Sequence, residues 1–556
     1  MLVDARDLPP DTTLEAEVCI IGAGPAGLTL ARELIDSGRK VLLLEAGAVE
    51  PDVADQSLAQ GETTGDPFCA LDAARARRFG GTATLWDTRW DPHSLGFRGA
   101  PLDPLDLVER DWVPDSGWPF DRAHLEPYYR RAHDVAGIGQ YQYDPGHWAS
   151  REAPQLRFGS GLLETSMWMF GAQRTMVDER RIELERAERV KVVLHANVVS
   201  LDTTDTGTTV STVRAVCLPG KPINARARVV VLAAGGIENA RLMLLSNRVR
   251  PGGIGNEHGL VGRYFMEHQM VRAGIITPRD RSVFNRLALY DERHVQGTAV
   301  MGKLQVTEAA MRRHRLLNSA ASVLPLHALS HRFNWEALDA FMELTGSLRR
   351  GRLPERPLSR VVTIAQAPDF VAARLLKRLT GNRLFRYWEG GPDLVTPGWS
   401  AFPDMPNRFG KLDVILHAEQ APHPDNRVTL SERRDALGSP MAHLHWEWRA
   451  LDVDSVRRFQ LLLQREITES GFGTFELSDC EGRPQLLHPG LHHHMGTTRM
   501  HRDPARGVVD EHTRVHGMEN LYVTGCSVFP TGGYINPTLT TLALSLRLAD
   551  RIREVT

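Results

Sequence analysis

The chain has 556 residues, long enough for two or more domains with well-buried cores. Its 66 Lys and Arg balance 68 Asp and Glu at a formal charge of -2, so no global field recommends nucleic acid as a partner, and none is expected. The five cysteines, Cys19, Cys69, Cys217, Cys480 and Cys526, contain no C-x-x-C pair, which argues against a disulfide framework and a zinc site; no metal is expected.

Met1 to Glu17 carries acids and prolines where a signal peptide needs a basic start and an apolar run. No stretch approaches the ~18 uninterrupted apolar residues of a membrane helix, so no membrane span is expected and the expected location is cytoplasmic. Val18-Cys19-Ile20-Ile21 has the continuous apolar character of a buried parallel strand and ends at a glycine turn. There Gly22 permits the bend, Gly24 lets a diphosphate approach the backbone, and Gly27 lets a helix opening near Pro25 and Ala26 pack on the strand. Val41-Leu42-Leu43-Leu44-Glu45 reads as the next buried strand. Its terminal acid stands 23 residues after Gly22, the distance at which a carboxylate accepts hydrogen bonds from adenosine ribose hydroxyls. Strand, glycines, helix, strand and acid in that order predict a dinucleotide site and leave NAD and FAD both open.

After Ala46-Gly47 comes Arg78-Phe79-Gly80-Gly81-Thr82-Ala83-Thr84-Leu85-Trp86, whose paired glycines would present backbone N–H groups to phosphate and ring. Asp115 to Ala132 reads as a turn followed by a helix; Trp112, Trp118, Trp168 and Phe170 are either core or the walls of a carbohydrate pocket. Val192 to Val199 reads as strand, and Arg228 to Ala240 as strand, tight turn at Ala234, and helix. Within 344–386 ten Arg and Lys meet two acids, and prolines 354, 357 and 368 interrupt the segment, which predicts an exposed helical insertion near the active-site mouth. Gln420 to Leu430 and His443 to Trp448 read as paired strands in an antiparallel sheet roofing the cofactor.

The C-terminal seventy residues contain His492-His493-His494-Met495-Gly496-Thr497, then Asn520-Leu521-Tyr522-Val523-Thr524-Gly525-Cys526, then Tyr534-Ile535-Asn536-Pro537-Thr538. Together with the two glycine turns, these residues resemble the glucose-methanol-choline (GMC) oxidoreductases, FAD-dependent alcohol oxidases and dehydrogenases, and are closest to the sugar- and pyranose-oxidising branch. The likeness covers both ends of the chain well and the middle poorly. It implies an α/β fold: a Rossmann-like FAD-binding domain, of the type shared with p-hydroxybenzoate hydroxylase, built from 1–100, 190–270 and 480–556. An α+β substrate domain with an antiparallel sheet, from 101–189 and 271–479, would interleave with it.

The family places its catalytic histidine three residues before the glycine of a Gly-Thr pair, which gives His493, and its second site residue before a proline, which gives Asn536. His493 would take the hydroxyl proton, its ordinary pKa of ~6.5 suiting that role, while hydride passes to flavin N5. The resemblance also implies cofactor contacts at Gly22, Gly24, Pro25, Ala26, Gly27, Glu45, Ala46, Arg78, Gly80, Gly81, Thr82, Val198, Ala234, Gly525, Cys526, Asn536, Pro537 and Thr538. Some pyranose oxidases carry a flavin-linked histidine where Leu85 stands; leucine has no nucleophile, so non-covalent FAD is expected. The expected substrate is a small-molecule alcohol, a secondary hydroxyl of a sugar, glycoside or hydroxylated natural product. Oxygen, a quinone and a redox protein remain open as electron acceptors, and a GMC-fold hydroxynitrile lyase or an NAD(P)-dependent dehydrogenase are the alternative functions.

Overall fold

The apolar runs at Val18–Ile21 and Val41–Leu44 are buried side by side in the computed structural model of the protein. It describes residues 1–86, 88–89, 95–327, 335–349, 353–354, 356–365, 398–401, 405–480, 482–488 and 492–555. Strand Thr12–Ile21 pairs in parallel with Val41–Leu44, Ile20 against Leu43, the two joined by helix Pro25–Glu33. Val190–Leu194 continues the sheet beyond Val41–Leu44, and Lys221–Leu232 lies parallel on the other side of Thr12–Ile21. The twelve-residue strand Lys221–Leu232 serves two neighbours. Its first half pairs antiparallel with Val210–Cys217, and its second half takes Leu521–Val523 in parallel, Leu232 against Val523. The C-terminal segment is thereby stitched into the sheet begun five hundred residues earlier. Helix Thr538–Val555 buries Leu548, Ala549 and Ile552 with Leu28, Leu30 and Ala31 of the first helix, so both chain ends share one core.

A second, larger sheet is antiparallel. Its spine runs Gln269–Pro278, Phe409–Ala418, Ser319–His327, Thr298–Val306, Leu163–Ala172 and Leu95–Gly99. One face packs Trp168, Met270, Met301, Ala320 and Ile415 against Tyr534 and Ile535, which seats this sheet over the C-terminal motif. The mixed α/β architecture is the one expected.

One expectation, the roof, is corrected. Arg427–Arg434 and Pro440–Trp446 do pair antiparallel, but their other neighbour is Gly61–Gly65, in a separate three-stranded sheet; the roof is built by the strands just given. Leu95–Gly99 pairs with Leu163–Ala172, so the chain has already left the nucleotide sheet within the 1–100 segment. Helices Trp335–Arg349 and Pro357–Ala365 fall in the basic insertion, and Leu358 and Val362 on the second are exposed; the rest of 344–386 lies outside the described residues apart from 353, 354 and 356.

Candidate active site

A groove with ≈ 1250 Å³ of empty space, part of it open to solvent, runs along the carboxyl ends of the parallel strands, where ligands bind in sheets of this kind. Its walls come from both glycine turns and from the segments at the two chain ends: Gly22, Gly24, Pro25, Ala26, Glu45 and Ala46, Gly81 and Thr82, Val198, Ala234, the three histidines 492–494, Gly525 and Cys526, Pro537 and Thr538.

Local sterics divide the glycines by role. A Cβ on Gly22, whose φ is +107°, would lie 2.7 Å from the Ala233 oxygen, and one on Gly27 would lie 1.9 Å from the Gly22 oxygen. These two let strand, turn and helix pack. A Cβ on Gly24 would meet only Gly81 Cα, at 4.0 Å, so the space before Gly24 is open for a ligand. The Gly80 N–H donates to the Ala23 carbonyl at 2.8 Å, which locks the second glycine loop onto the first; Gly80 itself does not line the groove. Glu45 is buried, and its carboxylate accepts from Ala23 N–H at 2.8 Å and Gly47 N–H at 3.0 Å, leaving one lone pair on each oxygen for the groove it lines. Burial pushes its pKa up, against the pull of those two amides.

Arg78 faces a backbone carbonyl. Its guanidinium donates to the Val49 carbonyl, away from the groove, and Arg75 and Arg77 line the groove instead. Arg75 and Arg241 hold the buried Glu238 carboxylate at 2.8 and 2.7 Å, with Arg77 at 3.5 Å. Burial pushes Glu238 up, but Arg241, Arg77 and Arg75 outweigh it and hold it well below the usual carboxylate range. Arg241 also pairs with Asp435 at 2.6 Å, so the three arginines meet two acids, and groove-lining Arg75 and Arg77 against Glu238 leave one net positive charge suited to a diphosphate. The run Arg75-Ala76-Arg77-Arg78 was the available signal; which members face inward depends on Glu238 and Val49.

At the other end, the chain passes from 492 to 497 across the start of helix Gly235–Leu245. A Cβ on Gly236 would lie 2.0 Å from the His494 oxygen, so only glycine admits the crossing. The three histidines separate. The ring of His492 faces the Ala74 carbonyl at 3.0 Å from Nδ1. His494 is buried between Phe68 and Phe265, and burial pushes it down to about 3. His493 lines the groove, its backbone N–H shared by both Glu267 oxygens at 3.0 and 3.1 Å and its Nδ1 2.9 Å from His268 Nδ1. Burial, followed by the neighbouring His268, His492 and His494, holds His493 well below its ordinary pKa. Half-buried Asn536 leads into Pro537, whose carbonyl accepts from Thr541 N–H at 2.8 Å in the first turn of the C-terminal helix; Pro537 and Thr538 line the groove. Cys526 Sγ donates to the His494 carbonyl at 3.1 Å.

Glu267 and His268 escaped sequence reading, because nothing in their local pattern marks them. Of the aromatic residues considered for a sugar pocket, Trp112 and Trp118 donate to Leu316 O and Thr531 Oγ1 and are core. Trp168 stands on the inner face of the large sheet beneath Lys303 (4.5 Å) and Arg98 (5.2 Å), edge-on to His417 at 4.8 Å.

A parallel sheet with glycine turns, a buried acid, groove-lining arginines and a histidine in the same groove make a dinucleotide site with a candidate base beside it, the arrangement of an oxidoreductase. Residues 422–545 match the GMC oxidoreductase family model, and 15–57 match an FAD binding domain model. Residues 422–545 thus form a GMC oxidoreductase domain, and the protein is an FAD-dependent oxidoreductase acting on alcohol groups. It is 25% identical to paromamine 6'-oxidase of Streptomyces fradiae over 96% of this chain and 91% of that one. It is 23% identical to 2-methyl-1,2-propanediol dehydrogenase of Mycolicibacterium austroafricanum, over 97% and 95%. Its fold matches a formate oxidase of Aspergillus oryzae with a TM-score of 0.51, 17% identity and 99% of both chains covered. Among the described residues no helix is long and apolar enough to cross a membrane.

Proposed function

We propose that the protein oxidises a secondary hydroxyl of a sugar, glycoside or hydroxylated natural product, with His493 as the base. One observation supports this above the others: all three histidines line the groove, but His492 turns Nδ1 to the Ala74 carbonyl and His494 packs between Phe68 and Phe265, whereas His493 pairs with another imidazole, His268, through Nδ1 and has Nε2 on the opposite side of its ring. In this mechanism Nε2 accepts the hydroxyl proton while the Asn536 amide donates to the same oxygen, holding the carbinol in place. Bound FAD supplies the acceptor for the hydride leaving carbon. The start of helix Thr538–Val555 offers partial positive charge to the electron-rich end of the groove. The division into interleaved flavin and substrate domains, and a cytoplasmic location, belong to the same proposal. Relatives spanning nearly the whole chain are named for paromamine and for a 1,2-diol, which favours a polyfunctional alcohol. A panel of monosaccharides, glycosides, diols and simple alcohols tests it: anaerobic bleaching of flavin absorbance by a sugar or glycoside is expected. Cyanohydrin cleavage with no bleaching would point to a lyase instead.

Cofactor retention should respond to Glu45. In Glu45→Gln the amide keeps one acceptor oxygen but turns an NH2 toward a backbone N–H, so either Ala23 or Gly47 loses its partner along with a ribose contact. At about 1–3 kcal/mol for an unmade buried hydrogen bond, FAD should bind roughly 5–150-fold more weakly. Equilibrium dialysis followed by flavin fluorescence measures this, and unchanged affinity would remove Glu45 from the ribose site.

We further propose that FAD is held non-covalently. Leu85 ends the turn Gly81–Leu85, is 40% exposed, and offers no atom for a flavin bond. Acid precipitation should release the yellow colour as unmodified FAD. Denaturing mass spectrometry would overturn this by finding the chain heavier by one FAD.

A further inference from the structure

Met266 and Met495 form an antiparallel bridge, each N–H donating to the other's carbonyl at 3.0 Å. Antiparallel register sets residues of equal index sum opposite one another. Glu267 therefore faces His494 and His268 faces His493, although 225 residues separate the last two in sequence. The contacts follow that register: His494 Nε2 lies 3.8 Å from Glu267 Oε2, and the His268 and His493 rings stand 4.9 Å apart at 77°, edge to face. Glu267, fully buried, accepts the backbone N–H of both His268 and His493. The dipeptide thus grips His493 twice, by backbone and by ring.

We infer that His268 is a positioning residue that fixes His493 as its Nδ1–H tautomer and so leaves Nε2 as the proton acceptor. Two nitrogens 2.9 Å apart share one proton, so one ring donates and the other accepts. The far nitrogen of His268 decides which. His268 is 1% exposed, and its Nε2 lies against Gly532 and Gly533, whose backbone favours a proton there even though no hydrogen bond of good geometry forms among the described residues. With its proton on Nε2, His268 presents the lone pair of Nδ1, and His493 must donate to it. Burial holds His268 down to about 4, so at neutral pH it is a neutral acceptor. When His493 Nε2 takes the hydroxyl proton, the imidazolium keeps its Nδ1–H on His268; no proton passes to the second ring. The charged and titratable groups facing this pair are Glu267, His492, His494, Arg98 and, on the His268 side, Glu419 and His417.

The inference rests on His493 being the base, so His493→Ala is measured beside two holoenzyme variants. His268→Met removes the acceptor and fills the space; His268→Gln restores an acceptor oxygen. Flavin occupancy, melting temperature, and anaerobic flavin reduction across substrate concentration and pH are followed. In His268→Met the limiting reduction rate should fall ~10–100-fold, the range for losing a residue that orients a site histidine, with FAD occupancy and the substrate concentration at half-saturation within about twofold of wild type by the same expectation. His268→Gln should recover to within about tenfold of wild type by the same logic. A His268→Met rate within twofold of wild type, an effect confined to half-saturation, or a Gln variant as slow as Met would overturn the inference. If His268→Met fails to hold FAD, the Gln variant decides alone, and a loss beyond a hundredfold in it counts against. A normal rate in His493→Ala would instead remove the base assignment beneath it.

Discussion

His493→Ala should slow flavin reduction by ~10²-fold or more, the range for deleting a general base, while FAD stays bound. Retention is expected because the polypeptide at 493 is held through its backbone N–H by Glu267, a bond alanine keeps, and because the cofactor contacts proposed here lie on other segments. The pH dependence of the wild-type enzyme follows from the same residue. Burial and the adjacent histidines lower the pKa of His493, so the unprotonated form that accepts the proton persists through neutral pH. The limiting reduction rate should be level above pH ~6.5, the unperturbed histidine value, and decline only as the pH falls toward the lowered one. Anaerobic stopped-flow measures both. If His492→Ala or His494→Ala proved far more damaging than His493→Ala, the base would have been assigned one position out of place.

Much of this site is readable in sequence because the constraints are local. Gly22, Gly24 and Gly27 sit within six residues, and a single turn dictates what each must be. Glu45 ends a strand whose apolar run announces it, and Pro537 opens a helix by its own ring geometry. What escaped depends on chain crossings. The pairing of Gly61–Gly65 with Pro440–Trp446 spans nearly four hundred residues, so the strands at 427–446 were legible as a hairpin while their sheet was not. Arg75, Arg77 and Arg78 look interchangeable until Glu238 draws the first two inward and the Val49 carbonyl draws the third away. His268 gains its meaning from the Met266–Met495 bridge, which no periodicity in either segment foretells. The chemical residue type is local information; its partner is not.

Two glycines three residues apart should fail in different ways when each is changed to alanine. In Gly27→Ala the new methyl would lie 1.9 Å from the Gly22 oxygen and 3.4 Å from Ala233 Cβ. Both the Gly22 backbone and its neighbour in the sheet are fixed: Gly22 N–H donates to the Leu44 carbonyl at 2.8 Å, and Ala233 N–H to Ile21 at 2.8 Å. The turn must therefore move, so the protein should be purified without flavin and melt at lower temperature even as apoprotein. Overpacking of this kind costs ~1–3 kcal/mol or more. In Gly24→Ala the methyl would have 4.0 Å of clearance from its nearest protein neighbour, so the apoprotein should melt with the parent apoprotein. Yet that clearance is the space we assign to the cofactor diphosphate, and on that proposal FAD affinity should drop as steeply as in Gly27→Ala. Apoprotein melting by calorimetry together with flavin titration separates the two. A Gly24→Ala protein that binds FAD like wild type would mean that the diphosphate crosses elsewhere, whereas equal destabilisation of both apoproteins would mean that Gly24 too is a packing glycine.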